Sequence, residues 1–432
     1  MSSPDISLLC TGDLHLGRRP TRVPQELDSP NVSPRSIWHA IVEQAIQQDV
    51  DGVLISGDVI DRENQYFEAF GAFKGGAERL DEADIPTIVV SGNHDYNSLP
   101  QLVSGLDLDN LTLIGTDGSW ERHTISEDDQ PILHVDGWSF PQEHVLKSPL
   151  SQYSMADSDV PVIGLLHADI TSADSDYAPV EQHDLEAEPV EAWLLGHIHA
   201  PSIHVESSPT VFYPGSPQAL DPGEPGPHGP WLLSINGSET GLEQLPLASV
   251  RYDQIEVAVD QAESTKEIPP LINTHIEEHV VNNVDTTHLE LLVARVKLVG
   301  RTPAHREIAL ERETIEDQLQ FKIGSLPVHI DSVEVDTEPA VDLEERAKES
   351  SPVGYLAEML LTLEHGDPDG EYEELISDAS ESIREAKAGG AYSPLRREGQ
   401  INTVDEDDAI ELVQRQGRLL LHELLTQTEG RV

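Results

Sequence analysis

Five short clusters carry side chains that can bind cations or move protons, and each follows an apolar run. Gly12-Asp13-Leu14-His15 sets a carboxylate and an imidazole two residues apart, so both can aim at one ion. Gly57-Asp58-Val59-Ile60-Asp61 supplies an aspartate whose two oxygens can bridge two cations. Gly92-Asn93-His94-Asp95 places an amide oxygen, an imidazole and a carboxylate side by side, which is more polar function than a turn requires. His167 closes the apolar run Val162 to Leu166. In Gly196-His197-Ile198-His199 the two imidazoles occupy alternate positions, which in an extended segment point the same way. Taken singly, a strand-end Asp or Asn is commonly a cap or turn former, and a lone His is more often structural. Five mixed oxygen and nitrogen clusters together point to a metal centre built at the ends of these runs.

The elements that must hold these clusters follow from the apolar pattern. Ile6 to Thr11, Gly52 to Ser56 and Thr87 to Ser91 read as buried strands. Ile37, Trp38, Ile41, Val42, Ala45 and Ile46 recur at helical spacing between the first two, and Phe67, Phe70, Phe73 and Leu80 between the second and third. Leu111 to Ile114, Val162 to Leu166, Ala192 to Leu195, Val211 to Tyr213 and Trp231 to Ile235 form a second set of strands. The fold class is α/β, in two stacked sheets, and the clusters fall at strand carboxyl ends, where open α/β sheets bind ligands. A boundary is expected near residue 247. Residues 248–345 read as a small α+β domain, with strands at Leu289 to Val299, Glu307 to Glu313 and Val328 to Val335 and a turn at Gly300 to Pro303. Residues 346–432 read as helical, with Gly389 to Gly399 as a loop.

The charge narrows the setting. The 432 residues include 80 acidic and 26 basic side chains, a net charge of -54, spread along the chain rather than gathered in a tail. That distribution is expected of a halophilic-type protein, because at about 1 M salt the Debye length falls to about 3 Å and self-repulsion is screened. The single cysteine, Cys10, excludes an internal disulfide and fits a reducing compartment. The segment MSSPDISLLC lacks the basic region of a signal peptide, and no apolar run has the roughly 18 residues of a membrane span, so a cytoplasmic location is expected.

The order and content of the motifs resemble the calcineurin-like metallophosphoesterase superfamily, whose pattern runs Asp-x-His, Gly-Asp-x-x-Asp, Gly-Asn-His-Asp or Glu, His, Gly-His-x-His. Tyr213-Pro214-Gly215-Ser216-Pro217-Gln218, Gly196-His197-Ile198-His199-Ala200-Pro201 and Val299-Gly300-Arg301-Thr302-Pro303-Ala304-His305-Arg306 further resemble the SbcD/YhaO-like DNA-repair exonucleases. The resemblance implies a two-sheet metallophosphoesterase sandwich, a capping domain and a helical segment that could grip a partner ATPase. It also implies two divalent metal ions, manganese being the expected one. Asp13, His15 and His199 would hold one ion, and Asn93, His167 and His197 the other, with Asp58 bridging. A hydroxide between them would attack phosphorus in line while His94 assists the leaving group. Asp95 would orient His94, and Asp61 would do likewise for metal-site residues. The implied partners are DNA, an SMC-like (SbcC-like) ATPase and a second copy of the chain, with no membrane.

A surface this acidic opposes the DNA backbone, since affinity normally comes from Lys and Arg at phosphates. Arg18, Arg19, Arg22 and Arg35 follow the first cluster closely, and with Ser216 they are the candidate phosphate contacts; pairing with acidic neighbours is their alternative use. The same ligands would also serve a metallophosphatase or a cyclic-nucleotide phosphodiesterase acting on a small molecule or protein. A non-catalytic scaffold would be expected to have lost ligands, and none is lost.

Overall fold

A computed structural model describes residues 5–27, 31–61, 66–237, 239–260, 262–319, 321–366, 370–388 and 406–429. The expected loop at Gly389 to Gly399 lies outside them. The chain divides into two units: Met1–Asp253 with Val280–Ala294 and Phe321–Asp331, and Gln254–His279 with Arg295–Gln320 and Ser332–Val432.

The first unit is built on two six-stranded sheets. One runs β12 (Glu239–Gln244), β11 (Trp231–Asn236), β1 (Ile6–Thr11), β2 (Gly52–Ile55), β3 (Thr87–Val89), β4 (Leu111–Leu113), with β1 to β4 parallel. The other runs β5 (Glu121–Glu127), β6 (Gln130–Trp138), β7 (Val162–His167), β8 (Ala192–Gly196), β10 (Thr210–Tyr213), β9 (Ser202–Val205), with β6, β7, β8 and β10 parallel. Side chains alternate faces along a strand, and the strands use both. Leu8, Cys10, Leu54, Ile88 and Val90 meet Leu133, Ile163, Leu165, Leu194 and Phe212 in one core between the sheets. Leu9, Val53, Ile55 and Val89 face the helices. Val162, Leu166, Trp193, Leu195 and Tyr213 form a third apolar layer outside the second sheet. Each such side chain contributes roughly 2 kcal/mol when fully buried.

The helices on the first sheet are set by local signals. Helix α1 (Pro34–Gln48) starts with Ser33 accepting from the Ser36 amide and Pro34 in the first turn, and ends at Asp49 in the left-handed region. Its Ile37, Trp38, Ile41, Val42 and Ala45 are buried, as their spacing predicts. Helix α2 (Tyr66–Glu82) lies so close that a Cβ at Gly76 would stand 2.1 Å from Trp38 Nε1.

A third sheet runs β13 (Val250–Ala258), β14 (Leu291–Thr302), β16 (Leu326–Pro339), β15 (Phe321–Ile323). The expected strand at Glu307 to Glu313 is instead two short helices, α6 (His305–Leu310) and α7 (Arg312–Asp317). The expected turn at Gly300 to Pro303 begins later, because β14 runs on to Thr302. In the second unit, α9 (Pro352–Glu364), α10 (Glu373–Ala388) and α11 (Glu406–Glu429) pack through Ala357, Leu360, Leu363, Ile376, Ala409 and Leu421. Arg418 of α11 is buried against Glu364, whose carboxylate also takes Arg301 at 3.2 Å. Among the described residues no helix is long and apolar enough to cross a membrane.

Candidate metal centre

Because β1, β2 and β3 are parallel neighbours, their carboxyl ends deliver Asp13, Asp58 and Asn93 to one edge. The ends of β7 and β8 bring His167, His197 and His199 to the same place. The turns are tied to each other: the Asp13 amide donates to the Gly57 carbonyl at 3.0 Å and the His15 amide to the Asp58 carbonyl at 3.0 Å. The His197 amide donates to both oxygens of Asp13 at 3.1 Å. Four of the seven candidate ligands hold positive φ, namely Asp13 (48°), His15 (42°), Asp58 (50°) and His197 (100°). Non-glycine residues rarely persist there unless their surroundings fix them, and such strain collects at functional sites. Close approach is also required of Gly92, where a Cβ would stand 2.2 Å from Asp58 Oδ1.

Six of the expected ligands, Asp13, His15, Asp58, Asn93, His167 and His199, bring side-chain donor atoms close to one another. His15 Nε2 lies 3.0 Å from His199 Nε2, and Asp13, His15 and His199 offer donor atoms within 4.8 Å of one another. His167 Nε2 lies 3.0 Å from Asn93 Oδ1 and 3.5 Å from Asp58 Oδ2. His197 packs edge-on to His167 with ring centroids 5.4 Å apart. Asp13, His15, Asp58 and His167 are buried, at 2 % exposure or less.

The ring orientations fit cations. A carbonyl oxygen only accepts, so His167 Nδ1, 2.9 Å from the Ser56 carbonyl, carries the proton. The Nε2 of the same ring faces the Asn93 and Asp58 oxygens. Likewise His199 donates from Nδ1 to Glu224 Oε1 at 2.7 Å, which directs Nε2 toward His15. Imidazole nitrogens turned toward carboxylate and amide oxygens at one point make a donor set suited to a divalent cation.

The electrostatics agree. Burial pushes Asp13 up to about 6. Burial also opposes ionisation of Asp58, yet the imidazoles of His167, His15 and His94 hold it down to about 2. Burial and the neighbouring His167 press His197 down to about 4. Burial would lower His199 too, but Glu224 and Asp13 raise it to about 9.

His94 stands beside this group. Its ring is edge-on to His15 at 5.2 Å, its amide donates to Asp58 Oδ1 at 2.9 Å, and the side chain is half-buried. Asp95 departs from expectation. It accepts from the amides of Val59 (2.7 Å), Gly92 (2.8 Å) and Ile60 (3.3 Å) and is fully buried, so it clamps two site loops together rather than orienting the His94 ring. Asp61 stands 3.8 Å from His15 Nδ1 and 3.2 Å from Arg18 Nε.

The expected phosphate contacts divide. Arg18 is engaged with Asp61, while Arg22 lies 3.6 Å from Asp331. Arg19 and Arg35 are exposed. Ser216 is corrected: it is fully buried and its hydroxyl donates to Glu224 Oε2 at 2.9 Å, so it steadies Glu224 instead of meeting a phosphate. Glu224 itself escapes sequence reading, because nothing in Asp221-Pro222-Gly223-Glu224 distinguishes it from a turn.

Residues 6–201 match the calcineurin-like phosphoesterase family, and the chain carries a metallophosphoesterase domain of that family. Residues 252–338 match the middle domain of the metallophosphoesterase YhaO. Among curated proteins, the chain is 26% identical over 232 residues to the uncharacterized metallophosphoesterase YhaO of Bacillus subtilis, covering 53% of this chain and 56% of that protein. It is 27% identical over 243 residues to the DNA double-strand break repair protein Mre11 of Halobacterium salinarum, covering 53% of this chain and 56% of that protein. The match thus spans about half the length of these relatives. Among solved structures, a dimetal phosphatase from Danio rerio aligns at 12% identity and TM-score 0.34, covering 56% of this chain and 99% of that one.

Proposed function

We propose that this metallophosphoesterase is a DNA phosphodiesterase, an exonuclease in double-strand-break repair, with residues 1–247 as its catalytic domain, 248–345 as a capping and DNA-binding domain and 346–432 as a helical region that docks a partner ATPase of the SMC class. The reading is supported above all by the close approach of oxygen and nitrogen donors from Asp13, His15, Asp58, Asn93, His167 and His199, with His197 packed against His167. The DNA substrate is supported by the Mre11 relatives, whose name is that of a DNA double-strand break repair protein.

Asp13, His15 and His199 are suited to hold one divalent cation, and Asn93, His167 and His197 a second, with Asp58 between; manganese is the proposed ion. Such cations supply Lewis-acid polarisation of the phosphate and a lowered pKa for water. The chain's own groups do the rest. The Ser56 carbonyl and Glu224 fix the tautomers of His167 and His199, so their Nε2 atoms face inward. Asp95 holds the Val59–Ile60 and Gly92 backbones in register, which keeps Asp58 and Asn93 aimed at one point. His94, half-buried at the edge, is placed to give a proton to the departing ester oxygen. Arg18 and Arg19 are proposed to hold flanking phosphates. Working in a cytoplasm rich in salt would suit the charge.

End-labelled duplex DNA, incubated with manganese at high salt beside a phosphomonoester, tests this reading. The proposal expects stepwise shortening of the DNA, abolished in His94→Ala. Rapid phosphomonoester hydrolysis with intact DNA would instead mark a phosphatase.

A further inference from the structure

The segment Arg301-Thr302-Pro303-Ala304-His305-Arg306 takes no part in the metal centre, yet it builds a second site inside the second unit. A cavity of about 530 Å³ is lined by His305, Arg306, Leu419, His422, Glu423 and Gln427. That volume lies within the usual range for small-ligand sites. The two imidazoles stand edge-on with ring centroids 6.3 Å apart. His305 Nδ1 is 2.9 Å from Thr337 Oγ1, which fixes that ring and leaves Nε2 for a ligand.

Arg306 sets the chemistry. Across this very acidic chain, Arg18, Arg79, Arg122, Arg251, Arg301 and Arg415 each sit against a carboxylate. Among the described residues Arg306 has no acidic partner within ion-pair distance, although acidic side chains outnumber basic ones by 80 to 26. A guanidinium left without a carboxylate, beside two imidazoles at a cavity wall, is a phosphate-binding arrangement. Among the described residues, Glu423 is the one acid in the lining and Gln427 the one amide. They disfavour a bare anion and favour one that also carries hydroxyl or amino donors, while Leu419 offers an apolar contact for a ring. We propose that this cavity binds a nucleoside monophosphate, with the phosphate on Arg306 and the imidazoles and the nucleoside on Leu419, Glu423 and Gln427.

The test is calorimetric titration of the full chain with AMP, inorganic phosphate and adenosine. A chelator is present throughout to keep the metal centre out of the measurement. AMP is expected to bind, with phosphate and adenosine each at least roughly tenfold weaker. Arg306→Ala and His422→Ala are expected to lose at least tenfold in AMP affinity, Arg306→Lys less, because a lysine keeps the charge but not the bidentate fork. Hydrolysis of a chromogenic diester by Arg306→Ala should match the unaltered chain, and circular dichroism should report the same fold. No heat at millimolar AMP, AMP affinity unchanged in Arg306→Ala, or equal affinity for inorganic phosphate would each overturn the proposal.

Discussion

His199 donates from Nδ1 to Glu224 at 2.7 Å, and Glu224 in turn accepts from the Ser216 hydroxyl at 2.9 Å and from the Leu220 amide at 2.7 Å. A carboxylate with both oxygens engaged cannot swing away, so it holds the His199 ring with Nε2 toward His15. Removing such a support typically costs 10 to 100-fold in metal affinity. Glu224→Ala is therefore expected to weaken manganese binding by about that factor, and Glu224→Gln by less, measured by calorimetric titration. Unchanged affinity in Glu224→Ala would mean that His199 does not depend on this carboxylate.

Asp95 is the keystone of the loops rather than a support for the His94 ring. Asp95→Ala leaves the amides of Val59, Ile60 and Gly92 without their acceptor in a buried setting. A loss of about 3 kcal/mol in unfolding free energy is expected from urea titration. A variant of unchanged stability but lost turnover would restore a direct chemical role.

The candidate metal centre is legible in sequence because each proposed ligand follows a strand that is itself locally encoded, as with Leu8 to Thr11 before Asp13 and Val162 to Leu166 before His167. Glu224 is not legible, since it reaches His199 through a Pro/Gly-rich loop that no periodicity describes. The role of Asp95 is hidden for a related reason: two of its partners, Val59 and Ile60, lie over thirty positions away. Glu307 to Glu313 reads as a strand because Ile308, Ala309 and Leu310 form a short apolar run between Glu307 and Glu311. The structure buries Ile308 and Ile315, seven residues or two helical turns apart, and leaves Leu310 77% exposed. Strands β5 and β12 pass unnoticed because they are edge strands with mostly exposed or half-buried side chains.

The arginine clamp separates DNA from small substrates. Replacing Arg18 and Arg19 with Ala is expected to weaken DNA binding, read as a rise in KM for DNA, with little change on a small chromogenic diester. Equal losses on both substrates would refute the clamp and point to the Arg18–Asp61 pair acting on His15.

The charge of -54 predicts salt-dependent stability. The melting temperature is expected to rise steadily as potassium chloride increases from about 0.1 M to about 2 M, because screening removes self-repulsion. A flat profile by differential scanning fluorimetry would show that the acidic surface places no strain on this fold.

The central claim is that seven side chains form one dinuclear site, and ion stoichiometry tests it most directly. Equilibrium dialysis of the chelator-stripped chain against manganese, read by elemental analysis, is predicted to give two ions per chain. Asp58→Ala, which removes the carboxylate between the two groups, is predicted to lower the occupancy of both. A single ion per chain, or two ions retained with undiminished affinity in Asp58→Ala, would contradict the account.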